Sequence, residues 1–316
     1  MSLGTYIVKR VLITIPVLLG VTIITFLMMH AIPGDPIDVM LQYAPAGEEV
    51  RDELRAQYNL DQPIYMQYLL WLSDIIQLNF GESIITGRDI DQTIANRLPY
   101  SLVLGGAAWL IAIVVAIPLG IYAAVNKNQF ADEASRVGAL LGIAMPNFWL
   151  GLLLLYVFAV GLGWFPVLPP TDQPFWSFEM LWALVLPALT LGTASTALLM
   201  RIMRSSMIEE LNKDYVLAAR AKGLSERTVV LKHVLRNSLI SVVTVAALML
   251  ASIADGSVVI EVVFAWPGIG ELIINSIHNR DFPVIQFTVV IIGISIVFAN
   301  LLADIVYAWL DPRIRY

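Results

Sequence analysis

Residues 201–236 read RIMRSSMIEELNKDYVLAARAKGLSERTVVLKHVLR, a long polar insert between two strongly apolar stretches. Tyr215 to Lys222 is rich in Ala, Leu, Arg and Lys and predicts a helix, which Gly223 ends because glycine takes the left-handed turn at no steric cost. Ser225 is placed to cap a second helix over Glu226 to Leu235, with Val229, Val230, His233 and Val234 on one face and Arg227, Lys232 and Arg236 on another. Two short helices hinged at a glycine, with Ala218, Ala219 and Ala221 exposed beside it, form a knob shaped for a partner's groove. A solvated basic loop has the same polarity and spacing, because basic loops follow from the topology rule without any partner.

The flanking stretches set the fold class. Of 316 residues, 58% are hydrophobic and 14% charged, and the apolar residues come in blocks. Crossing a hydrocarbon core of roughly 30 Å takes about 20 helical residues. Blocks of that length lie at 11–31, 100–125, 136–161, 181–203, 237–260 and 286–310, which predicts an all-α integral membrane protein with six spans. The chain has no cysteine, so disulfides, thiolate metal sites and thiol nucleophiles are excluded. Lys9, Arg10, Lys127, Arg136, the eight Lys and Arg of 201–236, Arg313 and Arg315 all fall on one side of a six-span topology. That excess predicts a cell-membrane protein with this side, and both termini, in the cytoplasm. Arg51, Arg55, Arg88, Arg97 and Arg280 lie opposite, outnumbered by acids such as Glu48, Glu49, Asp52 and Glu53, which predicts an acidic outer face.

Three regions follow. Residues 1–36 hold a short tail and the first span, which is too long for a signal-peptide core and has no cleavage pattern after it. Residues 37–99 form an outer helical insert. Val50, Leu54 and Tyr58 give one amphipathic stripe, and Ile64, Tyr68, Leu72 and Ile75 or Ile76 give a second after Pro63. Residues 100–316 form a core of five spans, carrying the insert 201–236 on one side and a second loop, 261–285, on the other. In the spans, Gly138 with Gly142, Ala188 with Gly192, Ala247 with Ala251 and Ser252 with Gly256 have the spacing of close helix contacts. Pro118, Pro146 and Pro187 are expected to be tolerated inside tilted helices, and Trp164, Phe165, Trp176 and Trp182 mark an interfacial belt. In the outer loop, Pro267-Gly268 predicts a sharp turn, followed by a helix over Glu271 to His278 with Leu272, Ile273 and Ile277 inward.

The run Asp214-Tyr215-Val216-x-Ala218-Ala219-Arg220-Ala221-Lys222-Gly223-Leu224, with Lys232-His233-x-Leu235-Arg236-Asn237 after it, resembles the signature loop of ABC importer permeases of the dipeptide, oligopeptide and nickel branch. The wider superfamily begins this signature Glu-Ala-Ala and runs through a Gly to Ile-x-Leu-Pro. Here Ala218, Ala219, Gly223 and Leu235 are kept, while Leu217, His233 and Arg236 replace the Glu, Ile and Pro, as they do in that branch. Ile32-Pro33-Gly34-Asp35-Pro36, the run Glu261, Phe264, Trp266, Pro267, Gly268, Gly270 with Arg280-Asp281, and Asp311-Pro-Arg313-Ile-Arg315 extend the likeness over nearly the whole chain. The resemblance implies a type I importer fold, with Asp214, Tyr215, Ala218, Ala219, Arg220, Ala221, Lys222, Gly223, Leu224, Glu226 and Arg227 coupling to ATPases. It implies an outer loop or gate made by Glu261, Phe264, Trp266, Pro267, Gly268, Gly270, Arg280 and Asp281. The implied partners are a homologous second permease, two cytoplasmic ATP-binding subunits that carry the ATP and Mg, and an extracytoplasmic solute-binding protein, in a lipid bilayer and without nucleic acid.

Nothing in the chain matches Gly-x-x-x-x-Gly-Lys-Ser/Thr, so it is expected not to bind ATP by a phosphate loop of its own, and no catalytic residue, cofactor or metal is expected in this chain. The reading is a permease subunit importing di- or oligopeptides; nickel or another small solute such as glutathione is the alternative. Asp255, near the outer end of the fifth span, is the candidate cavity residue. A carboxylate at a helix centre costs roughly 2.5–3.5 kcal/mol, so it must face water or a partner. It could meet a cationic part of the solute or make a structural hydrogen bond. A rival reading pairs Asp255 with Asp304 as an intramembrane hydrolytic dyad, but their depths differ by roughly 20 Å at 1.5 Å per residue, where a dyad needs about 3 Å.

The charge distribution has a direct check. A lone cysteine at position 127 or 222 stays unlabelled by an impermeant thiol reagent in intact cells, and one at 49, 179 or 271 reacts; labelling at 222 contradicts the orientation.

Overall fold

The computed structural model describes residues 3–31, 37, 41, 47–57 and 59–310; the side chains of 3–7, 54, 57, 250–256, 304 and 306–310 lie outside that description. The helices are α1 (Leu3–Ala31), α2 (Glu48–Gln57), α3 (Ile64–Ile76), α4 (Ile90–Val125), α5 (Phe130–Ala144), α6 (Asn147–Leu154), α7 (Phe178–Leu211), α8 (Asp214–Ala221), α9 (Glu226–Thr228), α10 (Leu235–Val263), α11 (Ile269–Asn279) and α12 (Phe282–Leu310). Among the described residues five helices are long and apolar enough to cross a membrane, and a sixth apolar stretch is a bent pair.

That bent pair corrects the expectation of one continuous third span. α5 and α6 meet at 104° across Met145-Pro146. Proline lacks the donor that would continue the ladder and pushes the residue before it out of the helical region, and Met145 is extended at φ −76°, ψ 130°. Beyond Leu154 the helix widens into a π-helical segment, Leu155–Gly161. Pro99, Pro118 and Pro187, in contrast, stay inside unbroken helices. α4 begins at Ile90, ten residues before the apolar block, so the helix starts within the predicted insert.

The bundle is built on α4 against α7. A Cβ placed on Gly192 of α7 would sit 2.8 Å from the Ala108 carbonyl oxygen of α4, and one on Gly120 would sit 2.6 Å from Met203 Cβ. The two backbones therefore approach as closely as glycine permits, which is how helices gain contact in lipid, where apolar surface alone offers no drive to associate. Gly142 of α5 packs on Ala197 and Thr193 of α7, but Gly138 faces open space. Trp109 of α4 donates to the Ala246 carbonyl of α10 at 2.8 Å. α1 lies outside this core against α12, where Gly293 admits Val21.

Three apolar clusters make up the core. One gathers Met203, Met207, Val216, Val229 and Val234; a second gathers Leu104, Leu186, Ile260, Phe264 and Trp266; a third holds Phe26, Trp71, Phe80 and Phe287. The third docks the predicted insert, and it corrects the stripe assigned to α3. Ile64 and Ile76 are exposed, while Trp71 is buried against Phe26 and Phe287. Ile75 and Tyr68 pack partly on this cluster, and the Tyr68 hydroxyl meets Thr22 of α1 at 3.0 Å. Tyr58 and the Leu54 side chain lie outside the described residues. The Trp182 ring stacks on Phe165 and receives a further stacked ring from Phe178, with Trp164 and Trp176 exposed beside them, as a belt requires.

Candidate functional site

Two constellations sit at opposite ends of the bundle. The first is the end of α7 with α8 and α9. α7 has 34 residues, about 51 Å at 1.5 Å per residue, well beyond a core of roughly 30 Å. Its last turns therefore stand clear of the apolar layer. Arg204 there forms two hydrogen bonds to the buried carboxylate of Asp132, at 2.5 and 2.8 Å. Asp132 also accepts from the Asn128 amide at 2.9 Å, so one carboxylate ties α7 to the turn between α4 and α5.

From Leu211 the chain reverses over Asn212 and Lys213 into α8. The reversal is held by a knot around Glu210. Tyr215 donates to Glu210 at 2.6 Å, Lys213 pairs with the same carboxylate, and Asn237 of α10 donates to the Tyr215 hydroxyl at 3.1 Å. Burial raises the Glu210 carboxyl, but the bonds from Lys213 and Tyr215 outweigh it and leave the group below its ordinary value. The Tyr215 phenol is raised, by burial and by its bond to Glu210. Val216 and Ala219 turn inward onto the Met203 and Met207 cluster, so α8 is packed down along one side.

The other side of α8 is open. Leu217, Ala218, Arg220 and Ala221 are exposed, as are Lys222, Gly223, Leu224, Glu226 and Arg227. Ala219 departs from expectation: the 3.6-residue period that exposes Ala218 and Ala221 turns Ala219 inward, where it is 8% exposed. Gly223 has φ +78°, the left-handed turn expected of it. Arg220 forks onto Glu226 across that turn at 2.6 and 3.1 Å, which lowers the Glu226 carboxyl. Such an exposed pair adds little stability, but its two bonds fix the turn's geometry. Ser225 caps Thr228 as predicted, at 3.4 Å. The second helix is not separate, however: α9 passes through a π-helical segment, Val229–Val234, straight into α10. Val229, Val230 and Val234 are buried, while His233 is half-buried.

At the opposite end lies the loop from α10 to α11. Glu261 is fully buried, and its Oε2 accepts from the Gly270 amide at 2.7 Å and the Glu271 amide at 3.3 Å. A carboxylate there satisfies the free donors of the first turn of α11 and opposes its positive dipole end. Gly268 and Gly270 are required by this approach, since a Cβ on either would fall within 2.9 Å of Glu261. Trp266 donates to the Tyr100 carbonyl at 3.0 Å and the Ile269 amide donates to Ser101 at 2.8 Å, which dock the loop on α4. Phe264, Trp266, Pro267, Gly268 and Gly270 are all buried, so the loop is a fixed piece of the bundle. Asp281 accepts from Ser83, Arg97 pairs with Glu271, and Arg280 is exposed in a left-handed conformation. In α11, Ile269, Gly270 and Ser276 are buried and Leu272 packs partly on the third cluster as expected, but Ile277 is half exposed, which corrects that part of the predicted face.

Asp255 lies within α10, but its side chain is outside the described residues, as is that of Asp304. No group of three His, Asp or Glu able to hold a metal occurs among the described residues. Sequence reasoning did not single out Asp132, Arg204, Glu210 or Ser101. Their roles arise between elements far apart in the chain, where no local periodicity shows them.

A family model for the inner membrane component of binding-protein-dependent transport systems matches residues 116–316, and the model of that component's N-terminal part matches 3–105. The chain belongs to this family. It is similar to the oligopeptide transport system permease protein AppB of Bacillus subtilis, with 42% identity over 99% of this chain and 100% of that protein. A putative peptide permease of Brucella suis is 44% identical over 98% of each. The glutathione transport system permease protein GsiC of Escherichia coli is 40% identical over 98% of this chain and 99% of its own. Among solved structures, the MetNI methionine ABC transporter in inward-facing conformations shares the fold, with TM-score 0.54 and 16% identity over 70% of this chain and 97% of that one. As an inner membrane component, the chain is a multi-pass membrane subunit of a transport system and not an enzyme.

The buried carboxylate gives this site its prediction. Glu261→Ala strips the acceptor from two enclosed amides, each worth roughly 1–3 kcal/mol, while Glu261→Gln keeps an acceptor oxygen. Thermal unfolding in detergent should show the larger loss for alanine; equal losses contradict the capping role.

Proposed function

We propose that this permease forms half of the translocation pathway of an ATP-driven importer of di- and oligopeptides, with the α8 end in the cytoplasm and both termini on that side. A second homologous permease supplies the other half. One of two ATPase subunits seats on the exposed side of α8 and the Gly223 turn and the other on the second permease, and an extracytoplasmic solute-binding protein delivers peptide at the α11 end. ATP and Mg belong to the ATPases.

The observation that carries this reading is the exposed tip of α8, Leu217, Ala218 and Ala221, on a helix fastened along its other side to α7. Small apolar residues beside a fixed turn suit a groove, and the Glu210 knot makes any push on α8 a push on α7. The full-length likeness to an oligopeptide permease supports peptide as the solute. The likeness to a glutathione permease favours a second reading, in which the solute is that γ-linked tripeptide. The outer run from Glu261 to Gly270 serves as scaffold of the gate rather than its moving part, given its burial.

Uptake by the reconstituted complex tests the coupling site. Leu217→Asp leaves the fold intact, because the side chain is 58% exposed, but places a charge in the ATPase seat. Gly223→Val strains the left-handed turn by roughly 1–2 kcal/mol and adds bulk there. Both are expected to lower ATPase association and peptide uptake by about tenfold or more, equivalent to at least roughly 1.4 kcal/mol of binding. Normal association and uptake in both variants contradict the assignment, and competition by glutathione but not by α-linked tripeptides selects the second reading.

A further inference from the structure

The polarity of α3 is inverted for a helix that faces water. Its exposed residues are Ile64, Tyr65, Met66, Leu69, Leu70 and Ile76, while its polar residues Gln67, Ser73 and Asp74 are all partly buried. Asp74 is the only charged residue of the helix, so the open side of α3 carries no charge. α2, in the same insert, follows the ordinary rule and exposes Glu48, Glu49, Asp52 and Glu53. An apolar face this continuous marks a surface that meets something other than water.

The depth of α3 points to what that is. Trp71 sits between Phe26 of α1 and Phe287 of α12, with ring centroids 5.6 and 6.1 Å away. Phe26 lies five residues before the end of α1 and Phe287 five after the start of α12, so each is about 7.5 Å inside its helix end. The apolar parts of those helices, 24 and 22 residues, measure about 36 and 33 Å and overshoot a core of roughly 30 Å by only a few ångströms at each end. Trp71 therefore lies about 5 Å within the apolar layer, the depth at which interfacial helices rest. Gln67, nearer the start of α3, meets His30 at the very end of α1, which leaves Tyr65 at the level where amphipathic rings are favoured. The open face is also continuous with one that belongs to a span: Ile23, Ile24, Leu27 and Met28, on the last turns of α1, are exposed and apolar. Acyl chains cover such a joint surface without any directional or charged complement, and it offers none.

We propose that α3 is an interfacial helix seated in the lipid leaflet on the α11 side, with Leu69, Leu70 and Ile76 among the acyl chains. The insert is thereby divided, α2 standing in water and α3 in lipid. Trp71 joins α1 to α12 from within the membrane rather than from above it. This inference depends on the bilayer and holds whichever solute is carried.

The chain has no cysteine, so a nitroxide can be placed at one position at a time. Leu69→Cys and Ile76→Cys fall on exposed side chains and leave the packing of α3 untouched, and Glu49→Cys on α2 is the water-facing reference. In the full complex reconstituted in liposomes, each label is relaxed by oxygen, which concentrates in lipid, and by the chromium oxalate anion, which stays in water. The oxygen-to-chromium collision ratio at 69 and 76 should exceed that at 49 by about tenfold or more, because an anion stripped of its water is excluded from hydrocarbon. A label at 69 or 76 that behaves like the one at 49 overturns the inference and makes α3 a water-facing lid. A label at either position shielded from both reagents also overturns it, and makes the face a seat for another subunit.

Discussion

The close approach of α4 and α7 is the contact on which the rest of the bundle depends. In lipid, two helices gain little by hiding apolar surface from a solvent that is equally apolar, so contact area and hydrogen bonds decide which pairs form. Gly192 against the Ala108 carbonyl and Gly120 against Met203 supply that area. With this pair in place, α7 becomes a rod that reaches both ends of the protein. Ser177 caps it at one end, and Arg204 and Glu210 tie it down at the other. A displacement applied at α8 therefore has no soft joint to absorb it before it reaches the core.

Two buried carboxylates pin the connections that the helices alone leave open. Glu261 closes the first turn of α11, and Asp132 joins the α4–α5 turn to Arg204. Burying a charge costs several kcal/mol and is recovered only when nearly every lone pair is used, so the Asp132–Arg204 pair contributes more to a single arrangement than to net stability. Both lie where the chain changes direction. The coupling face differs in kind: Arg220 with Glu226 is exposed, and its value is the shape it gives the Gly223 turn.

The spans could be read from the chain because a membrane imposes one length on every apolar block, and α1, α7, α10 and α12 coincide with those blocks. Gly223 was legible for a similar reason, as a glycine after a helical run has one common use, and its φ of +78° agrees. What could not be read depends on neighbours. Pro146 breaks a helix while Pro118 and Pro187 do not, although all three sit in similar apolar sequence. Trp71 rather than Ile76 faces inward because Phe26 and Phe287 meet it there, and those partners come from opposite ends of the chain. The roles of Glu261 and Asp132 likewise became visible only once α11 and α7 were brought to them.

Transmission through α7 is the central claim, and one distance measures it directly. Spin labels at Ser205 of α7 and Ala218 of α8, both exposed, report whether the two helices move as one body in the assembled transporter. The account predicts that their separation stays constant between nucleotide-free and ATP-trapped states, while the distance from Ala218 to the same position in the second permease changes. A shift between 205 and 218 as large as that between subunits would show that α8 swings on the Asn212–Lys213 reversal and does not drive the bundle.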